Sequence, residues 1–373
     1  MSKTIAYLVH NLDDPAVLRR VRMFYAGGAN VVVLGFRRSD RVPASIAGAP
    51  VIDLGRTADG QFGQRIAAVL RHAVADGALR RAVAQADVLV ARNLEMLVLA
   101  ARLAKGRRLV YECLDIHRLL LVSGGVLARL VQWVERRLLT RVDLILTSSP
   151  RFETAYFRGL RRLTTPILLV ENKVLALGET AMRGQAVRKD VPESGPWVIG
   201  WFGMLRCRRT LAILSELAAH SQGRIAVVIA GIPSDAEFQD LAGTVAGMPG
   251  VTFTGRYAAG DLTALYGAVH FAWAIDYFEE GLNSTWLLPN RLYESLDNGV
   301  VPIALADVET GAWLTEHGAG LVIADPCREL PTFLQQLTAS DYRTLAAKVA
   351  ALPARLLRTE TPECVALVDA VTG

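Results

Sequence analysis

Two doubly wound α/β domains are predicted, on three observations. Short β-branched or aliphatic runs alternate with longer amphipathic stretches along the chain. The alternation breaks once, across the polar segment Gly178 to Pro196, and then resumes. A length of 373 residues exceeds one ordinary domain and suffices for two, each burying its own core.

In the first half, the runs Thr4 to His10, Val31 to Phe36, Val88 to Val90, Arg108 to Glu112 and Leu144 to Thr147 read as buried parallel strands. Pro15 to Gly27, Gly63 to Ala84, Leu94 to Ala104 and Leu127 to Leu139 carry apolar residues at helical spacing. Repeated strand–helix units specify a doubly wound sheet. The break across Gly178 to Pro196, which contains Pro192 and Pro196, is assigned as the linker. The domains are therefore residues 1–177 and 197–373, joined by 178–196. The second domain repeats the pattern with strands at Trp197 to Phe202, Ile225 to Ile232, Val251 to Phe253, His270 to Ile275, Val300 to Leu305 and Gly320 to Ile323. The last helix is placed in this domain, with packing back onto the first as the alternative.

Hydrophobic residues make up 52% of the chain, yet no run approaches the roughly 18 uncharged apolar residues needed to span a bilayer. A soluble or peripheral protein is expected. The apolar run Ile5 to His10 follows only one basic residue, Lys3, and lacks a small-residue cleavage site, so no signal peptide is read. Cys113, Cys207, Cys327 and Cys364 are scattered, which suits reduced thiols in a cytoplasm. Charge divides unevenly: residues 1–162 hold 26 Lys and Arg against 13 Asp and Glu, whereas 163–373 hold 15 against 23. The first half is thus suited to an anionic partner, whether phosphate-bearing substrate, lipid surface or nucleic acid, with a merely solvated basic face as the plainer reading.

Ligands of open α/β sheets bind beyond the carboxyl ends of the strands, which directs attention to two segments. Gly203-Met204-Leu205-Arg206-Cys207-Arg208-Arg209-Thr210 lies between a strand and a helix. A glycine turn, free helix N–H groups and guanidinium forks together fit a pyrophosphate. A basic surface turn is the plainer reading, and the helix dipole disfavours cations there. The second segment, Phe278 to Glu294, runs from a strand end through Asn283 and Ser284, which can donate to phosphate or sugar oxygens. It continues into a helix opened by Pro289, on which Arg291 and Glu294 share a face. A carboxylate there can accept both hydroxyls of a ribose; a solvated i,i+3 ion pair is the alternative.

These motifs, with Asn290-Arg291-Leu292-Tyr293-Glu294 ahead of Gly299-Val300-Val301-Pro302-Ile303, resemble GT-B glycosyltransferases of the group 1 or family 4 type, in particular the bacterial exopolysaccharide (succinoglycan-type) enzymes. The resemblance takes in Ala91-Arg92-Asn93, Tyr111 to His117, Thr147 to Pro150 and Val170 to Lys173, and so covers nearly the whole chain. It implies two Rossmann-like domains facing a central cleft. It places the donor diphosphate on Gly203 and Arg209, helped by Arg206 and Arg208, with Glu294 on the ribose and Asn283, Ser284, Asn290 and Arg291 completing the donor site. The donor implied is a UDP-hexose, glucose first and glucuronate second, and the acceptor a lipid-diphosphate-linked saccharide. Arginines take the role a metal plays elsewhere, so no metal or cofactor is expected. Two positions depart from the family pattern: Trp286 stands where a second glutamate is usual, and Met204 where an arginine follows the glycine.

In the first domain Asp115 is the expected general base, should the enzyme invert the anomeric centre, with His117 contacting sugar or phosphate. Asp115 as the N-cap of a helix beginning near His117 is the plainer reading. Asp13 and Asp14 are rival bases, although either before Pro15 also reads as a simple helix start; together with Arg92 and Asn93 they are expected to meet the acceptor. The stretch Arg118 to Arg141, with Arg129, Arg136, Arg137 and Trp133 among Leu and Val, suits a helix on an anionic membrane surface, and a location peripheral to the inner face of the cell membrane is expected. Two other functions compete with transfer: a nucleotide-sugar epimerase of the same fold, and a noncatalytic nucleic-acid binder. The second is disfavoured because basic and aromatic residues do not interleave.

Overall fold

A computed structural model describes residues 2–57, 77–122, 124–178, 191–193 and 195–373. The amino-terminal part of the expected Gly63 to Ala84 helix, and most of the expected linker, lie outside the described residues; the helix is seen as Gly77–Gln85. The chain forms two compact units. One comprises Met1–Glu171, Leu175–Gly178 and Thr359–Gly373, the other Asn172–Val174 and Glu179–Arg358.

The first unit is built on β1 (Thr4–Val9), β2 (Asn30–Arg37), β3 (Ser45–Ile46), β4 (Ala49–Arg56), β5 (Val88–Arg92), β6 (Arg108–Cys113), β7 (Leu144–Thr147) and β8 (Ile167–Leu169), in the order β3-β4-β2-β1-β5-β6-β7-β8. All neighbours are parallel except β3 and β4. Central β1 pairs Tyr7 with Val33 on one side and Val90 on the other, and Ile5 to Val9 are fully buried. Strands buried on both faces by helices read as continuous apolar runs, which is why β1, β5 and β6 were legible. Besides the two-residue β3, the sequence reading missed β4 and β8. Both lie towards the sheet's edges with half-buried residues, so polar and apolar side chains mix along them.

Asp14 caps the Pro15–Ala26 helix, its carboxylate accepting from the Ala16 N–H at 2.8 Å. This helix packs on the carboxyl-terminal helix Thr361–Thr372, whose Cys364, Leu367, Val368 and Val371 join the core of Phe24 and Met23. The approach requires Gly27, where a Cβ would stand 2.3 Å from the Cys364 carbonyl oxygen. Short strands β9 (Val174–Leu175) and β16 (Arg358–Thr359) lie where the chain passes between units.

The second unit is a parallel sheet of β10 (Trp197–Leu205), β11 (Ile225–Pro233), β12 (Val251–Phe253), β13 (Phe271–Trp273), β14 (Val301–Leu305) and β15 (Leu321–Ile323), ordered β12-β11-β10-β13-β14-β15. Its core holds Trp197, Trp201, Trp273, Phe271 and Tyr293. From β10 the chain winds outward through β11 and β12, then returns to β13 and winds the other way. The sheet therefore has its switch point between β10 and β13; in the first unit the switch lies between β1 and β5. Among the described residues, no helix is long and apolar enough to cross a membrane.

Candidate functional site

In the second unit, the segments singled out in the sequence follow the two strands that flank the switch point. At the end of β10, Gly203 has φ +110° and open space where a Cβ would stand, and it pairs with Gly231 of β11. A Cβ on Gly231 would lie 1.8 Å from the Gly203 carbonyl oxygen, so these strand ends present bare backbone. Cys207 caps the Arg208–His220 helix, its Sγ accepting from the Thr210 N–H at 3.4 Å.

The three arginines diverge. Arg206 Nη2 lies 3.2 Å from Asp276 Oδ2, beyond β13, with its guanidinium 4.4 Å over the Phe278 ring. Arg209 Nη1 meets Glu280 at 2.5 Å and stacks 4.0 Å over Tyr277. Arg208 turns instead to Glu237 at 3.8 Å and the Phe238 ring at 5.7 Å. Two of the three therefore reach the loop after β13, and Arg208 does not.

Asp276 is the centre of that loop. Its carboxylate, 8% exposed, accepts from the Phe278 N–H at 2.8 Å and the Ser284 hydroxyl at 3.4 Å. Burial would raise its pKa, but the charges of Arg291 and then Arg206, with the Phe278 N–H, outweigh burial and hold the carboxyl below its ordinary value. Arg291 also donates to the Trp273 carbonyl at 3.5 Å. Asn283 is buried at the start of a short 3₁₀ turn, its carbonyl accepting from Trp286 and Leu287, while Asn290 is exposed at the first position of the Asn290–Asp297 helix. One turn along that helix, Glu294 accepts from the Tyr266 hydroxyl at 3.3 Å. Burial, then the Glu294 charge, pushes nearby Tyr257 up to about 12 against the opposing pull of Arg291. Arg206 and Arg291 thus both act on Asp276, while Arg291 and Glu294 act in opposite senses on Tyr257.

In the first unit, His10 and Asn93 follow the two switch-point strands, with His10 Nδ1 and Asn93 Nδ2 3.3 Å apart. Asn93 takes the left-handed conformation at φ +70°. Arg92 and Asp14 pair at 2.9 Å and belong to a buried network. Within it Arg20 Nε lies 2.5 Å from Glu112 Oε1, Arg92 Nη1 lies 3.5 Å from Oε2, and the Tyr7 hydroxyl donates to the same carboxylate. Burial would raise Glu112, but Arg20 and Arg92 hold it below its ordinary value. Asp13 is occupied by the loop after β2, accepting from the Arg38 and Ser39 N–H groups and the Ser39 hydroxyl.

Asp115 is exposed just beyond β6. The reading of Asp115 as a helix cap is corrected by the structure: His117 caps the Arg118–Leu121 helix, its Nδ1 accepting from the Leu119 N–H at 3.2 Å. An Nδ1 that accepts leaves the proton of the neutral ring on Nε2.

Sequence reasoning missed Asp276 as a member of the site, along with Tyr257, Tyr266 and Glu280. The position of Asp276 directly after a switch-point strand was the available signal. Among the described residues, no three His, Cys, Asp or Glu side chains are gathered as metal ligands.

Comparison with known proteins gives consistent matches. Residues 15–172 match a glycosyl transferase 4-like domain. The succinoglycan biosynthesis protein ExoL of Rhizobium meliloti (strain 1021) is 44% identical over 371 residues, covering 98% of this chain and 92% of that protein. Among solved structures, HepE of Anabaena in complex with UDP and glucose superposes with TM-score 0.68 at 16% identity over 98% of each chain. The sucrose-phosphate synthase of Thermosynechococcus elongatus gives 0.72 at 14% identity over 98% of this chain and 97% of that one.

Proposed function

The chain belongs to the glycosyltransferase 4-like family and has the GT-B fold, and from that premise we propose that it moves a hexose from a UDP-sugar to a lipid-diphosphate-linked saccharide during exopolysaccharide assembly. The observation that carries the donor half is the placement of Arg206 and Arg291 around one buried carboxylate, Asp276, with Arg209 and Glu294 on the same two segments. Cationic forks at the ends of switch-point strands suit a diphosphate, and a carboxylate one helical turn from Arg291 suits ribose hydroxyls. The exopolysaccharide role is supported by the relative's name, a succinoglycan biosynthesis protein, and the lipid-linked acceptor is part of the proposal. Glucose as the sugar is supported by the HepE complexes with UDP-glucose and with UDP and glucose, with glucuronate the second candidate.

In the proposed reaction an acceptor hydroxyl oxygen forms a bond to the sugar C1. The bond from C1 to the β-phosphate oxygen breaks, its electron pair leaving with UDP. Arg206, Arg209 and Arg291 stabilise the negative charge that develops there, without a metal. If the anomeric centre inverts, Asp115 takes the acceptor proton, and His117 Nε2–H donates to sugar or phosphate oxygen.

Calorimetry with UDP, beside a transfer assay on a lipid-linked acceptor, tests this. Arg209→Ala and Glu294→Ala are expected to weaken UDP binding about tenfold or more. Asp115→Asn is expected to leave it unchanged while lowering transfer by about 10²–10⁴-fold. Unaltered UDP affinity in Glu294→Ala would remove the ribose assignment. Epimerised sugar formed from donor alone would replace the transferase reading with an epimerase.

A further inference from the structure

The Val126–Leu139 helix of the first unit carries an apolar face that the unit's core does not use. Inward it buries Ala128, Val131, Glu135 and Leu139. Outward, at the i, i+4 and i+7 positions of one stripe, stand Val126, Leu130 and Trp133, with 77, 54 and 63% of their surface exposed; Leu127 flanks them. Arg129, Arg136 and Arg137 are exposed on the same side of the helix, and Arg118 before it and Arg141 after it are exposed as well.

The charge distribution is unusual. The helix has one acidic residue, Glu135, and it is turned fully inward, where Arg161 meets it at 2.7 Å and the Tyr156 hydroxyl donates to it at 2.7 Å. Enclosing a carboxylate costs several kcal/mol unless it is paired, whereas Trp133 and Leu130 would ordinarily be the side chains enclosed. The outcome is an outer face of large apolar groups and arginines with no acid among them. Its orientation is fixed, because Gln132 Nε2 donates to the carbonyls of Leu119 and Val122 and so ties the helix to the preceding turn.

We infer that this face lies in the headgroup region of an anionic phospholipid bilayer, with Val126, Leu130 and Trp133 entering the acyl boundary and Arg129, Arg136 and Arg137 meeting lipid phosphates. Charge complementarity selects the occupant: a second copy of this chain would set arginines against arginines. The inference does not rest on the donor site or on the choice of base. It does place the turn that begins at His117 close to a membrane surface, where a lipid-linked acceptor would be held.

Co-sedimentation of the full chain with vesicles tests it. Binding to phosphatidylglycerol-rich vesicles is expected, weakening as salt rises, with little binding to pure phosphatidylcholine. Arg129→Glu/Arg136→Glu/Arg137→Glu is expected to lower the affinity on the order of 100-fold, and Leu130→Ser/Trp133→Ser at least tenfold. UDP affinity and thermal midpoint should stay unchanged in both, because the altered side chains are exposed. Trp133→Phe should retain binding while losing most of the fluorescence quenching by brominated lipid. Absence of wild-type binding to phosphatidylglycerol, or binding that survives both multiple variants, would overturn the inference. So would a change of sedimentation coefficient between wild type and variants without vesicles, which would assign the face to self-association.

Discussion

Both units place arginines and carboxylates where the strand order reverses, but the two sets differ in how they are built. In the first unit Arg20 and Arg92 are 3 and 6% exposed and are matched by Glu112, Asp14 and the Tyr7 hydroxyl. In the second, Arg206 and Arg209 are 37 and 54% exposed, and the partner of Arg209, Glu280, is 56% exposed. A buried, matched pair is costly to open and holds a fold. An exposed pair contributes about 0–1 kcal/mol, so an incoming phosphate can displace its carboxylate at small cost. Charge at a switch point is therefore not by itself a binding site; what separates framework from clamp is how cheaply the cation changes partner.

Breaking the framework should have the largest effect. Glu112→Gln leaves Arg20 and Arg92 buried without their shared anion, and a loss of about 3–5 kcal/mol in the stability of the first unit is expected. Urea denaturation followed by tryptophan fluorescence and circular dichroism measures it. A loss below about 1 kcal/mol would mean that the network is as exchangeable as the pairs of the second unit.

Next comes the clamp itself. Arg206→Ala is expected to weaken UDP about 10–100-fold, the loss of a charge-assisted contact of about 1.5–3 kcal/mol, with a smaller loss of folding stability than Glu112→Gln because Arg291 still offsets the Asp276 charge. Arg208→Ala, whose side chain faces Glu237 and Phe238, should change UDP affinity less than threefold. Equal losses in the two variants, read by calorimetry, would show that their present partners do not predict which arginine binds.

The acid limb separates the Asp276 pair from the rest. Its folded pKa is below the ordinary value, so its interactions with the Arg206 and Arg291 charges stabilise the protein above that value. They are lost as pH falls through the folded pKa, below about 4. The stability difference between wild type and Asp276→Asn should thus be constant from pH 5 to 8 and shrink below about pH 4. A difference that persists at low pH would remove Arg206 and Arg291 as its cause.

Most of the architecture was legible because parallel strands buried on both faces leave continuous apolar runs, as Ile5 to Val9 and Ile225 to Ala230 do. The rule that ligands bind beyond the strand ends is also what singled out Gly203, Arg206 and Ser284 as candidates. What could not be read was pairing between distant segments. Asp276 lies 70 residues from Arg206, and nothing local marks it as their meeting point. Likewise Asp14 and Arg92, 78 residues apart and both expected at the acceptor, pair with each other in the fold, and Arg92 also reaches Glu112. His117 acts as a cap through its ring nitrogen, a role that the plainer reading of the sequence gave to Asp115, a commoner capping residue.

The smallest expected effect is the sharpest test of the contrast. Glu280→Gln removes the anion paired with Arg209 but keeps the side-chain shape, and Arg209 still stacks on Tyr277. Because both members are more than half exposed, folding stability should change by less than about 1 kcal/mol. If Arg209 must leave Glu280 to hold a diphosphate, removing the competitor should tighten UDP by up to about fivefold at low salt, and the gain should fade as salt screens the pair. The corresponding change at the framework, Glu112→Gln, lowers stability and offers no ligand a freed cation. A loss of UDP affinity in Glu280→Gln would instead mean that the carboxylate positions Arg209 for the phosphate, and that the exposed pair changes partner no more readily than the buried one.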